Sequence, residues 1–461
     1  MREGTDETHE LLVIGGGSAG GGVASIAARA GMDVLLVERD RLGGECLNVG
    51  CVPSKALIRS AELAHLVRTS AHLGLDASLG PVDAKPLLRR VHEVVRAARG
   101  ERDEADTWAA QPYPARHAAA RFVGPDVAEV MPHGGGPAQR VGFEHAVIAT
   151  GSRPTIPPLP GLDSVAYLTS DSIWELEAIP RRLVVVGGGP VGAELAQTLA
   201  RLGAQVTIVE PDRLLPHEEP EASEALALAF ADEGIALRLG RSVSHVAGGA
   251  ATLDDGEGLP FDALLLAVGR EPALGDLGLE AAGVATRDDG LVLDDELRTS
   301  APRIWAAGDV TGQLPFVHVA TAQAEVVAAN VVRGAHQSMH YDGIPWATFT
   351  DPEVARIGML AADAGADTVT GRVTWSELDR ALTDGDTRGF VSVLASRDGR
   401  ILGAQVVGRG AGDLVGELSL AMSAGLTVHQ VRDAIHVYPT RSEGVRWACG
   451  AAADAIDAAG G

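Results

Sequence analysis

The segment GGECLNVGCVPSK, residues 43–55, carries Cys46 and Cys51, two of only three cysteines in 461 residues. Two thiols this close, in a chain nearly free of sulfur, raise the possibility of electron exchange. They do not form half of a zinc site, because a structural zinc needs a second ligand pair and the chain has none. On a regular helix, residues five positions apart lie roughly 8–9 Å from each other, whereas a disulfide needs Cα atoms within about 7 Å. A bonded pair therefore requires an irregular segment, and Gly50, next to Cys51, permits one. Lysine is as scarce as cysteine. Lys55 and Lys85 are the only two among 38 basic residues, and Lys55 follows Cys51 by four positions.

The elements around this pair repeat. ELLVI at 10–14 reads as a short buried strand. GGGSAG follows, with Gly15, Gly17 and Gly20 in G-x-G-x-x-G spacing, then a helical run, then the strand DVLLVE ending at Glu38. LVVV at 183–186 repeats the pattern: GGGPVG supplies Gly187, Gly189 and Gly192, and QVTIVE ends at Glu210. In both copies the acid lies 23 positions after the first glycine. One such motif is weak; two, each set between strand and helix with an acid at matching distance, specify dinucleotide binding. The glycines let the backbone approach a pyrophosphate at a helix N-terminus. The acid accepts hydrogen bonds from ribose hydroxyls. A carboxylate at Glu210 repels a 2′-phosphate, so NADH is expected to be preferred over NADPH, with Arg213 close enough in sequence to soften the preference.

FEHAVIATGSRP at 143–154 and FDALLLAVGREP at 261–272 extend the repeat, which places the second unit as an insertion in the first. RIWAAGDVTG at 303–312 reads as a returning strand ending in Asp309, whose carboxylate suits a polyol hydroxyl. Beyond residue 341, GIPWATFTDPEVARIGM and the pair FVSVLAS and ILGAQVVG around Asp398-Gly399 predict an antiparallel sheet. Helices follow, one opened by a Thr427–Gln430 capping box. The class is α/β, with two Rossmann-like dinucleotide-binding domains and a C-terminal α+β domain.

The length suits about three domains. A formal net charge of −24 argues against nucleic acid and anionic membranes as partners. The polar start MREGTDETHE and the lack of a long apolar run argue against a leader or a membrane span. With so few cysteines a thiol pair is expected to be redox-active in a reducing cytoplasm.

These segments together resemble the flavoprotein pyridine nucleotide-disulfide oxidoreductases, the group with dihydrolipoamide dehydrogenase, glutathione reductase and mercuric reductase. The motifs are GGGSAG, GGECLNVGCVPSK, ATGSRP, GGGPVG, AAGDVTG, FTDPEVARIG and YPTRSEG. ALIRSAELAHL, ELAQTLARLG and FVHVATAQA lean toward the mercuric reductase branch. The resemblance implies an FAD-binding domain in 1–152 and 273–340, an NAD(P)H-binding domain in 153–272 and a dimerisation domain in 341–461. FAD would be held by the first glycine loop with Glu38, Thr150, Gly151 and Asp309, and the nicotinamide cofactor by the second loop. Electrons would pass through flavin to a Cys46–Cys51 disulfide, with Cys51 against the flavin as the charge-transfer thiolate and Cys46 facing substrate. Lys55 would sit near the flavin N5 with Glu194 as its ion partner, where a cation stabilises the reduced flavin.

The family is a homodimer whose sites borrow an acid–base histidine from a His-Pro-Thr run, oriented by a glutamate five residues on. Here Tyr438 stands at the histidine position and Glu443 remains. Tyrosine, with a pKa of about 10, is a poor base near neutrality, so ordinary disulfide turnover is placed in doubt. Mercuric reductases also carry tyrosine here, but they add a C-terminal cysteine pair, which the ending DAIDAAGG does not lead one to expect, and no N-terminal metal-carrier domain is expected. Glu443 could instead complete a capping box with Thr440. His436, two residues before Tyr438, could flank the site or be packed. Cys449 reads as a buried small apolar residue. No resident metal is expected. The acceptor is a small disulfide or a thiol-bound metal ion; a quinone is the alternative, and a non-catalytic redox sensor the remotest reading.

Overall fold

The computed structural model describes residues 4–100, 104–287 and 290–460. They form two compact units, one of the described residues within 4–56, 88–155 and 269–340, the other of those within 57–87, 156–268 and 341–460.

The duplicated motifs fold as duplicated sheets. In the first unit the parallel strands run in the order 115–117, Val34–Glu38, Glu7–Ile14, Gln139–Ile148, Ile304–Ala306. In the second they run Ala236–Leu239, Gln205–Glu210, Arg182–Val186, Ala263–Leu266. Counted within each copy the order is the same: third, second, first, fourth. A parallel bridge from Leu168 to Leu265 stands where the first sheet has its fifth strand.

Parallel strands covered on both faces read as unbroken apolar runs, which is why ELLVI and LVVV carry no alternation. The two-residue period nevertheless sorts the side chains. Leu12, Ile14, Leu35 and Val37 enter one core with Phe122 and Phe143. Leu11, Val13, Val34 and Leu36 enter the other, beneath the helices Ser18–Arg29 and Val317–Arg333.

Ile304–Ala306 pairs with Ala146–Ile148 of the first sheet. The chain thus leaves that sheet, builds the second and returns, as the repeat predicted. The returning strand is shorter than expected. It closes at Ala306, and Asp309 opens a 3-10 turn, Asp309–Thr311. The Gly308 amide leaves the ladder to donate to Gln323 Oε1 at 2.6 Å. The segments Ser152–Pro154 and Arg270–Pro272 pair with each other, antiparallel.

The C-terminal sheet is antiparallel throughout, in the order Pro345–Thr348, Val354–Gly358, Ile401–Val407, Phe390–Ser396, Thr368–Thr374. Its central hairpin turns at Asp398-Gly399, where the Gly399 amide reaches Ser396 O at 2.9 Å. Helices Ala411–Ser423 and Ser442–Gly460 pack on it over Trp375, which is fully buried. Thr427 and Gln430 complete the expected capping box.

Candidate active site

The two glycine loops match bond for bond. The first glycine of each donates to the second strand, Gly15 to Val37 O at 2.8 Å and Gly187 to Val209 O at 2.9 Å. Gly15 holds φ +107° and Gly187 φ +108°, a conformation that favours glycine. The third glycine is required for packing: a Cβ on Gly20 or Gly192 would collide with the carbonyl of Gly15 or Gly187. The second glycine is the open one. A Cβ on Gly189 would meet nothing within 4 Å, the space a phosphate needs. Gly17 and Gly189 cap the helices Ser18–Arg29 and Pro190–Leu202, neither helix has a side-chain cap, and neither carries an acid in its first turn. These uncapped ends suit an anion.

The acids aim at the loops. Glu38 accepts from Gly16 N–H at 2.7 Å and Asp40 N–H at 2.7 Å. Glu210 accepts from Gly188 N–H at 2.6 Å and Asp212 N–H at 3.0 Å. Each carboxylate is fixed beside its loop with lone pairs left for ribose. The residues present therefore fit a dinucleotide at each loop. Arg213, which could have offered a cation to a 2′-phosphate, donates instead to Pro216 O at 2.8 Å and Glu218 O at 2.9 Å.

The cysteines sit at a helix break. Cys46 lies in the five-residue helix Gly44–Asn48 and Cys51 begins the helix Cys51–Thr69. Between them, Val49 and Gly50 both donate to Glu45 O, each at 2.8 Å, so the chain folds back and the sulfurs come to 2.8 Å. Gly50 serves by close approach: its Cβ would stand 3.1 Å from Cys46 Cα. The turn is fastened to the first loop, where Gly43 N–H donates to Gly16 O at 2.9 Å. Cys51 is exposed and Cys46 half-buried. The hydrogen bond with Cys51 and burial push the Cys46 thiol well above its ordinary range. Lys55 lies one turn after Cys51 on the same helix face.

A polar chain runs from this turn. Arg270 is ion-paired to Glu45 and donates from Nε to Ser152 Oγ at 2.8 Å. Ser152 Oγ donates to Asp309 Oδ2 at 2.7 Å. Thr150 Oγ1 donates to Ala273 O at 2.8 Å, and Gly151 stands beside it with open space at its Cβ position.

In the second unit Glu194 is buried and accepts from Phe349 N–H at 2.9 Å. Tyr438 is exposed and donates to Asp379 Oδ2 at 2.8 Å. His436 does not share its exposure. Its ring is 7% exposed, with Nε2 2.8 Å from Glu417 Oε1 and Nδ1 3.1 Å from Ala434 O. The 434–439 segment forms no strand. Glu443 accepts from Thr440 N–H at 3.2 Å, one half of the expected capping box; the Thr440 hydroxyl donates instead to Val437 O at 2.6 Å.

Residues 9–324 match the model of the pyridine nucleotide-disulphide oxidoreductases, and residues 344–449 match the dimerisation domain of the same name. The chain belongs to this family. It is 40% identical over 454 residues to a mercuric reductase of Streptomyces lividans, covering 95% of each chain. It is 38% identical over 454 residues to a dihydrolipoyl dehydrogenase of Haloferax volcanii, covering 95% of this chain and 94% of that one. Among solved structures, the Cu(II) complex of the HOCl-induced flavoprotein disulfide reductase RclA from Escherichia coli superposes with a TM-score of 0.86 at 28% identity, covering 96% and 99% of the two chains. The chain is a flavoprotein oxidoreductase of a family that uses FAD with NAD(P)H.

This pyridine nucleotide-disulphide oxidoreductase contains site-forming residues that motif spacing does not reveal. Gly43 and Gly44 tie the cysteine turn to the first loop, and a Gly-Gly pair abutting the motif is a turn signal. Ser152 and Arg270 occupy equivalent positions of the repeat and bond each other; their neighbours Arg153 and Glu271, also equivalent, form an ion pair at 2.7 Å. Opposite charges at matched repeat positions were the available clue.

Proposed function

We propose that this chain is an NADH-preferring FAD reductase that sends electrons through the Cys46–Cys51 pair to a thiol-bound metal ion or a small disulfide. The observation that carries the proposal is the pair itself: two thiols 2.8 Å apart on a turn bonded to a dinucleotide loop. In this reading the first loop, with Glu38, Thr150, Gly151 and Asp309, holds FAD. The second loop, with Glu210, holds NADH, and the engagement of Arg213 with backbone carbonyls supports that choice.

FAD held at the first loop would supply the two-electron chemistry that links nicotinamide to the cysteine pair. The protein's share is positional. Its uncapped helix ends would hold the pyrophosphates, Cys51 would stand on the cofactor side of the pair, and Cys46 would engage the acceptor as a thiolate, the nucleophilic form. Lys55 supplies positive charge where the reduced cofactor gains negative charge, and the family resemblance assigns Glu194 as its counter-charge. For a disulfide the sum is NADH + H⁺ + RSSR → NAD⁺ + 2 RSH.

Two observations favour a metal thiolate over a lipoamide-type disulfide. Tyr438 replaces the acid–base histidine, and its hydrogen bond to Asp379 pushes the phenol above its ordinary range, leaving still less phenolate to act as a base near neutrality. His436 has both nitrogens engaged by groups close in its own chain, so it is not offered as the replacement. Glu443 stays a helix-capping residue that can also orient Tyr438. The dimerisation-domain match and the exposed Ile435, Val437 and Leu420 support a homodimer with shared sites. Among the described residues no helix is long and apolar enough to cross a membrane, and a cycling dithiol fits the cytoplasm.

The test is NADH oxidation by purified holoenzyme against Hg(II)-thiolate, lipoamide, small thiol disulfides and quinones, in wild type and Cys46→Ser. The expected result is metal or disulfide turnover lost by more than about a hundredfold in the variant. Preferred quinone turnover that survives Cys46→Ser would overturn the proposal.

A further inference from the structure

Glu45 precedes the half-buried thiol of Cys46, and its carboxylate is paired to Arg270, 225 positions along the chain. The same guanidinium donates to Ser152 Oγ at 2.8 Å and Ser152 O at 3.3 Å. Ser152 in turn donates to Asp309 at 2.7 Å. Four remote segments thus meet in one line: carboxylate, guanidinium, hydroxyl, carboxylate. The Arg270 and Glu45 side chains are only 17% and 28% exposed, so solvent screens them weakly.

We propose that Arg270 is a positioning residue that sets the ionisation of Cys46 by cancelling the charge of Glu45, while Ser152 and Asp309 hold the guanidinium in place. An uncompensated carboxylate beside a thiol disfavours the thiolate. Other groups around the cysteine turn, among the described residues, include the Cys51 thiol, Lys55 one turn along its helix, and Arg99, which is bonded to the Asn48 side chain. The hydrogen bond with Cys51 and burial raise the Cys46 thiol, and Glu45 adds to the rise. Arg270 opposes that last contribution. The bearing of this inference on turnover rests on Cys46 being the substrate-facing thiol, and the test separates the two.

Dithiothreitol-reduced holoenzyme is alkylated with iodoacetamide across pH, and modification at each cysteine is read by mass spectrometry. Arg270→Gln is expected to raise the apparent pKa of Cys46 by about one unit, the scale of one nearby charge. Glu45→Gln is expected to lower it, and the double variant to return close to wild type. Arg270→Lys keeps most of the wild-type profile. A merely structural role moves both single variants in the same direction. That result, or an unmoved profile, overturns the inference. Should Arg270→Gln fail to fold, the downward shift in Glu45→Gln and the retention in Arg270→Lys decide it. If Cys51 reacts with substrate analogues first while the opposed shifts persist at Cys46, the thiol assignment fails and this inference stands.

Discussion

Gly43 donates its N–H to the carbonyl of Gly16 at 2.9 Å, which suspends the cysteine turn from the first glycine loop. Gly44, next in line, has φ +66, and a Cβ there would collide with Gly17 Cα. Gly44→Ala therefore strains the backbone by about 1–2 kcal/mol and pushes the turn off the loop. The expected outcome is a holoenzyme with less than about half its flavin, read from the ratio of flavin to protein absorbance. Full flavin content would show that the contact has slack.

Glu210 is held by two backbone N–H groups, and Arg213 is turned away to loop carbonyls. NADH should exceed NADPH in kcat/KM by about tenfold or more, a difference of about 1.4 kcal/mol. Glu210→Gln removes the charge that repels a 2′-phosphate, so the ratio should shrink. The carboxamide keeps one acceptor oxygen for two N–H groups, so Tm should also drop, in line with roughly 1–2 kcal/mol for a lost hydrogen bond. A wild-type preference for NADPH would sink the electrostatic argument.

The hydrogen bond to Asp379 raises the pKa of Tyr438. A raised value means the neutral phenol persists to higher pH, so wild-type rates should show no limb from this residue anywhere below its ordinary pKa of about 10. Tyr438→His should raise lipoamide reduction by about tenfold or more, since positioned acid–base groups contribute about 10²–10⁴-fold. It should also add a pH limb near the imidazole pKa of about 6.5. Efficient wild-type turnover of lipoamide, with Tyr438→Phe unchanged, would show that the side chain carries no chemistry.

Cys449 is fully buried in the C-terminal core, and burial pushes its thiol up to about 12. In reduced native enzyme an aromatic disulfide reagent should titrate Cys46 and Cys51, with Cys449 reacting only after unfolding. Cys449→Ser should cost about 1–3 kcal/mol for a buried, poorly partnered hydroxyl and leave NADH-to-acceptor turnover intact. Fast reaction of a third native thiol would contradict the packing.

The dinucleotide loops were legible in the sequence because their physics is local. The strand, the three glycines, the helix start and the acid lie within one short stretch, and the third glycine of each loop answers a collision with the carbonyl of the first. The capping box at Thr427 and the hairpin at Asp398 were legible for the same reason. Expectations were less secure where an element's end depended on a distant partner. The Ile304 strand stops early because Gln323 takes the Gly308 amide. Thr440 gives its hydroxyl to Val437 and completes only half its box.

The pairing of Cys46 with Cys51 lies between these cases. Sequence spacing demanded an irregular turn there; the structure alone showed the turn to be two amides converging on the Glu45 carbonyl, with Gly50 needed for closeness. The line from Glu45 through Arg270 and Ser152 to Asp309 belongs wholly to the tertiary fold. Those residues come from four segments, and hydrogen bonds form between neighbours in space whatever their separation along the chain. Only after the Ser152 and Arg270 strands pair, and the chain returns to bring Asp309 beside Ser152, do three charges and a hydroxyl form one bonded line that ends next to Cys46.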